Sequence, residues 1–250
     1  MELGLRNRVY LVTGGSSGLG LATAQVLVGE GARVVLSGRH QAALDRAVAA
    51  IGSGSAEPVS CDNADAGTPE LLIGTARQRF GRLDGLLVSV GGPPAGSVSA
   101  ATDDQWRAAF ESVFLGTVRL ARTVGGQLPA GGCIAFVLST SVRAPIAELA
   151  ISNGLRPGLA MVAKSMANEL GPAGVRVNGL LPGWTATDRM RSLQATAGSP
   201  LQRDAIAAIP LRRAAEPAEF GQVAAFVLSP AASYLTGAMI PVDGGLSPGL

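Results

Sequence analysis

One lysine, Lys164, and one histidine, His40, are all the chain has of those residues in 250. With so little histidine and only two cysteines, Cys61 and Cys133, no metal-ligand spacing exists, and no metal is expected. The cysteines follow Val59 and precede Ile134 in apolar surroundings, so both are expected as buried, reduced thiols. Charge is sparse as well: 15% of residues, 20 basic against 18 acidic, with no block of either sign. That balance gives no electrostatic support for nucleic-acid or membrane-surface binding. No apolar run reaches the ~18 residues a membrane span needs. The chain runs to Val9 without a basic-then-apolar signal segment, and a soluble, cytoplasmic protein is expected. Tyrosine is scarce too, with only Tyr10 and Tyr234.

Apolar residues are plentiful at 47%, which points to subunit interfaces or to a core rich in small residues. They fall in short continuous runs that alternate with helical stretches from end to end. Arg8 to Thr13, Arg33 to Ser37, Pro58 to Cys61, Leu83 to Val90, Cys133 to Ser139, Val175 to Leu181 and Ala238 to Val242 read as strands. Runs that are apolar throughout, without alternation, suit strands covered on both faces. Helices are expected near 18–30, 40–51, 68–80, 103–128, 157–170 and 216–229. The alternation predicts one α/β domain over 1–250, a doubly wound parallel sheet of about seven strands with helices on both faces.

The first strand ends in Thr13-Gly14-Gly15-Ser16-Ser17-Gly18-Leu19-Gly20 and enters a helix. Glycines there allow a tight turn and a close approach of backbone amides to a pyrophosphate, beside the positive end of the helix dipole. A bare glycine-rich turn is weak evidence for a nucleotide. This one has the spacing T-G-x-x-x-G-x-G, and it resembles the cofactor turn of the short-chain dehydrogenase/reductase family. The resemblance continues in order along the chain. Asp62 matches the family's adenine contact, and Asn178 to Gly183 followed by Trp184-Thr185-Ala186-Thr187 matches its N-x-x-x-P-G segment with threonine. Leu235-Thr236-Gly237 and Val242-Asp243-Gly244-Gly245 match its C-terminal run. The family implies a Rossmann-like fold, a nicotinamide cofactor and carbonyl–alcohol chemistry similar to that of 3-oxoacyl-carrier-protein reductases. Cofactor contacts carried over are Gly14, Ser16, Ser17, Gly18, Leu19, Gly20, Asp62, Gly92, Pro182, Gly183, Thr185 and Thr187.

Arg39 closes the second strand where an acid would hold a ribose 2′-hydroxyl. An arginine favours a 2′-phosphate, so NADP(H) is expected; the alternative is a solvated helix-entry residue. The family's catalytic serine is matched by Ser139. Thirteen residues on, where the family has tyrosine, stands Ser152, and four further, in place of lysine, stands Arg156. The family's tetrad asparagine becomes Val113, and its N-N-A-G segment becomes Ser89-Val90-Gly91-Gly92. Lys164-Ser165-Met166-Ala167-Asn168-Glu169-Leu170 matches a later family run and fixes this register.

The substitutions change the chemistry. A serine is a far weaker acid than a phenol of pKa ~10, and arginine does not relay protons. Ser139, Ser152 and Arg156 could still bind and polarise a carbonyl while water supplies the proton. Pro157 leaves two helix starts open, at Pro157 itself or at Ser152 as N-cap. Glu148 and Asp188 are the acidic groups that could compensate, although solvated loop carboxylates are the plainer expectation. The segment 184–200 is placed like the family's substrate-covering loop. Two functions follow: an NADP(H)-dependent oxidoreductase acting on a small carbonyl or alcohol, or a non-catalytic NADP(H)-binding sensor or assembly subunit. In either case the apolar composition and the resemblance imply a homo-oligomer, a tetramer, with 103–128, 157–170 and the C-terminal run at its interfaces.

Overall fold

A computed structural model describes residues 1–188, 190 and 206–249. Seven parallel strands form one sheet among them: β1 (Val9–Thr13), β2 (Arg33–Gly38), β3 (Ala56–Ser60), β4 (Gly85–Val88), β5 (Cys133–Val137), β6 (Arg176–Pro182) and β7 (Met239–Val242). Their spatial order is β3-β2-β1-β4-β5-β6-β7, so the direction of winding reverses between β1 and β4. Ligands of open α/β sheets bind in the crevice outside the strand ends at such a reversal.

Successive residues of β1 feed opposite layers. Val9 and Leu11 join the core beneath α3 (Thr68–Phe80), α5 (Gly116–Gly125) and α6 (Ala150–Leu170). Tyr10 and Val12 join the core beneath α1 (Gly18–Gly29), α2 (Gln41–Ile51) and Pro217–Leu228, here α7. With both faces covered, every residue of β1, β4 and β5 is buried, as a parallel sheet requires. The edge strands β3 and β7 are only partly covered.

Two buried charges stitch the frame. Asp84 accepts from the Val9 amide at 2.8 Å and pairs with Arg82 at 2.7 Å, fixing the start of β4 against β1. Arg176 donates to the carbonyls of Val227 at 2.8 Å and Ser229 at 2.9 Å, and so closes the C-terminal end of α7. A cation at that end also meets the negative pole of the helix dipole. Cys133 is fully buried and its thiol is pushed up to about 11 by desolvation. Cys61 is only half-buried, against the expectation of two buried thiols, because it lies just past the edge strand β3.

Several boundaries differ from expectation. The helix expected over 103–128 is α4 (Asp103–Ala109), a π-helical stretch over Phe110–Leu115, and α5. The helix expected from Pro157 begins at Ala150 with Leu149 as N-cap, so neither of the two starts holds. Pro157 lies about two turns inside it. It therefore removes the amide that would bond the Asn153 carbonyl, and packing of Leu155, Leu159 and Ala163 holds the helix through that gap. Of the segment 184–200, residues 189 and 191–200 lie outside the described residues.

α7 opens on a side-chain network. Glu219 accepts from the Glu216 amide at 2.8 Å and takes both arms of Arg213 at 2.6 Å. The Arg213 guanidinium leads in holding the Glu219 carboxyl down at about 2. A lowered folded pKa contributes stability above the unfolded value of ~4.3, lost as pH falls towards about 2. Glu219→Gln is expected to lower Tm at pH 7 and to melt together with the parent near pH 2, as followed by circular dichroism.

Candidate active site

The end of β1 is tied to the end of β4. Thr13 Oγ1 donates to the Ser89 carbonyl at 3.0 Å and accepts from the Ser89 amide at 2.9 Å. The turn that follows has room only for glycine at two points. Gly14 has φ 57°, and a Cβ there would stand 2.4 Å from the Ser89 oxygen; a Cβ on Gly20 would stand 2.4 Å from the Gly14 oxygen. Ser17 is the N-cap of α1 and makes no side-chain cap, leaving the first-turn amides to an anion. Ser16 Oγ lies beside Gly38, and Leu19 is half-buried in the first turn of α1.

From β6 the chain passes Pro182 and Gly183, whose amide donates to the Val242 carbonyl at 3.0 Å, and crosses towards α1. Thr187 lays its methyl over Gly18. Thr185 pairs with Ala215 and is 4% exposed, and its hydroxyl has no hydrogen-bond partner among the described residues. Arg39 is exposed just past β2 and Asp62 is half-buried just past β3, its Oδ1 accepting from the Ala64 amide at 2.9 Å. Gly92 is half-buried beyond β4. A glycine-lined cradle with open helix amides and a buried hydroxyl in need of a partner fit a dinucleotide.

The chemical side is assembled at the ends of β4 and β5. Ser139 follows β5 in extended conformation, and its Oγ accepts from the Ser141 amide at 3.1 Å. The hydroxyl proton of Ser139 remains able to donate. Ser152 lies in the first turn of α6 and is 9% exposed. Arg156, one turn on, is 5% exposed. Its guanidinium donates to the Val137 carbonyl at 2.6 Å and to the Val90 carbonyl at 3.3 Å. The cation clasps the ends of the two strands that carry the site and does not reach into solvent.

Val113 is buried in the π-helical stretch within the core, where it can hold no water. Neither tyrosine stands among these residues. Tyr10 is sealed inside β1, where burial pushes its phenol upward, and Tyr234 is fully exposed. Glu148 and Asp188 are exposed. One contributor had no signal in the sequence: Asn153, whose amide accepts from the Ile146 amide at 3.1 Å and donates to the Ile146 carbonyl at 2.8 Å. It pins the loop before α6 to the turn that carries Ser152. The second pin is the pairing of Gly96 with Leu149, in which the Gly96 carbonyl takes the Ala150 amide at 3.1 Å.

Residues 14–247 match the family model described as enoyl-(acyl carrier protein) reductase. The meso-2,3-butanediol dehydrogenase of Serratia marcescens is 34% identical over 242 residues, covering 96% of this chain and 94% of that protein. A short-chain dehydrogenase/reductase of Brucella melitensis, of the glucose/ribitol dehydrogenase type, superposes with TM-score 0.91 at 28% identity, covering 98% and 99% of the two chains. The L-sorbose reductase of Gluconobacter frateurii, solved with NADPH and L-sorbose, gives 0.89 at 28% identity over the whole of both chains. The chain belongs to the short-chain dehydrogenase/reductase family, whose members are oxidoreductases of alcohols and carbonyls with a nicotinamide cofactor.

Hydrogen bonds from a charged donor contribute about 1.5–3 kcal/mol each, and removing the donor strands buried carbonyls. Arg156→Ala is therefore expected to destabilise the fold by about 2–4 kcal/mol in urea denaturation, whether or not the chain turns over substrate. A loss below ~0.5 kcal/mol would rule out the clasp.

Proposed function

We propose that the protein is an NADP(H)-dependent oxidoreductase interconverting a carbonyl and an alcohol, acting as a cytoplasmic tetramer. The carrying observation is the Gly14–Gly20 cradle, where a Cβ at Gly14 or Gly20 would strike a backbone oxygen and Ser17 leaves the α1 amides without a side-chain cap. Arg39 in place of an acid, exposed where it can meet a 2′-phosphate, favours NADP(H), and the sorbose reductase that this chain resembles was solved with NADPH. The tetramer is supported by Phe110 and Met161, 44% and 69% exposed on segments expected at subunit interfaces.

When bound, the nicotinamide supplies or accepts the hydride. Ser139 donates a hydrogen bond to the substrate oxygen, and Ser152 is the second hydroxyl on that side. Arg156 contributes a fixed positive charge beneath the strand ends, which favours negative charge developing on that oxygen. No phenol is available, so the proton exchanges with water. General acid–base help is worth about 10²–10⁴ in rate, and turnover is expected to be slower by such a factor.

Arg39→Asp should weaken NADPH by about tenfold or more relative to NADH in fluorescence titration, the loss of one charge-assisted contact. Equal wild-type affinity for the two cofactors would refute the preference. Ser139→Ala should reduce NADPH-dependent carbonyl reduction while leaving NADPH affinity nearly unchanged. The wild-type pH–rate profile should lack the alkaline limb of a titrating phenol.

A second reading is a non-catalytic NADP(H)-binding subunit. It is favoured by the commitment of Arg156 to two main-chain carbonyls and by the apolar Val113. Tight NADPH binding without turnover across a broad carbonyl panel would select it.

A further inference from the structure

We infer that Arg119, on α5, is a positioning residue for the adenine end of the cofactor, acting through the Asp62 carboxylate. This rests on the NADP(H) reading above and deepens it with a residue 55 positions away from the turn it grips.

The turn after β3 is held on three sides. Towards β2, the Cys61 amide donates to the Gly38 carbonyl at 3.0 Å. Towards α3, the hydroxyl of Thr68, a buried residue, donates to the Asp62 carbonyl at 2.5 Å. The Asp65 amide donates to the same carbonyl at 3.1 Å. These bonds hold the main chain of Asp62 and do not fix where its carboxylate points.

The third side is α5, and its contacts fall on the next two residues. Gly116 opens the helix so close to Asn63 that a Cβ on it would overlap the Asn63 carbonyl oxygen. One turn on, the half-buried Arg119 donates from Nη1 to the Ala64 carbonyl at 2.9 Å. The amide of that same Ala64 donates to Asp62 Oδ1 at 2.9 Å. Arg119 thus grips the residue whose amide aims the carboxylate. The bond occupies Oδ1, so Oδ2 is the oxygen that meets a ligand.

Place and chemistry both suit the base. The turn lies at the carboxyl end of β3, on the side where open α/β sheets bind ligands. An ionised carboxylate only accepts hydrogen bonds, so it favours the 6-amino group of adenine over the 6-oxygen of hypoxanthine. That preference depends on the carboxylate being aimed. Because the Asp62 main chain is also held from β2 and α3, losing Arg119 should disturb the aim more than the fold.

The test uses the intact chain, with NADPH and its deamino analogue, in which hypoxanthine replaces adenine, titrated by nicotinamide fluorescence. The parent should prefer NADPH by about tenfold, the size of one charge-assisted hydrogen bond. Arg119→Met keeps most of the apolar stem without its donors; it should cut the preference to about twofold with Tm nearly unchanged. Arg119→Lys, which keeps a charged donor, should restore most of it. In an Asp62→Ala background Arg119→Met should change the ratio no further, whereas a residue acting on its own would add its effect. An unaltered preference in Arg119→Met would overturn the inference and leave the cofactor reading standing. A parent that binds both dinucleotides equally well would do the same, since Asp62 would not be reading the base. A parent that binds neither would sink the cofactor reading and the inference together. Should Arg119→Met fail to fold, Arg119→Gln, polar but too short to reach Ala64, takes its place with the same two outcomes.

Discussion

The guanidinium of Arg156 holds the ends of β4 and β5 together, and the site is organised around that clasp. Carbonyls at the end of a parallel strand have lost the neighbour that would complete their ladder, and buried carbonyls need a donor. Val137 ends β5 and Val90 lies two residues past β4, and one planar cation with a forked set of donors serves both carbonyls. Ser139 begins two residues beyond Val137, and the Ser89 contact to Thr13 begins one residue before Val90. The position of the candidate substrate-binding hydroxyl and the closure of the cofactor turn both depend on those two strand ends staying where they are.

That arrangement would suit Ser152 and Arg156 standing where the family resemblance expects tyrosine and lysine. A lysine beside a tyrosine works by electrostatics on a titrating phenol; without the phenol, that use disappears. Arginine gives up proton exchange and gains a second directed hydrogen bond. Pro157 lies next to Arg156 in the same helix. It weakens α6 at the Asn153 carbonyl, while the Asn153 side chain and Gly96 anchor the helix start from outside it. The first turn is thus held by tertiary contacts where a side-chain N-cap is missing.

The sheet was legible because continuous apolar runs and glycine punctuation are properties of single segments. Tyr10 and Val12 against Val9 and Leu11 show the same two-faced burial at every central strand. What escaped depends on partners far apart in sequence. Pro157 reads locally as a helix start, yet packing of Leu155 and Leu159 carries the helix through it. The 103–128 run keeps one apolar face, and nothing in that pattern separates an α-helix from the π-helical stretch over Phe110–Leu115. Register placed Arg156 among the expected site residues, but its carbonyl partners lie 19 and 66 residues away, and no spacing rule reaches them. The half-buried Cys61 follows from β3 being an edge strand, a matter of strand order.

A site built this way differs in kind from one tuned by pKa. Hydroxyls and a permanently charged guanidinium keep the same protonation across the physiological range, so the field they present does not change with pH. Such groups can stabilise an oxygen that is becoming negative, but they cannot deliver the proton that neutralises it. The chemistry then divides between a preformed electrostatic surface at the strand ends and water at the mouth. Without a proton relay the reaction slows, while the fixed charge at the strand ends favours the developing negative oxygen, and the balance between them decides whether this fold turns over its substrate or only holds it.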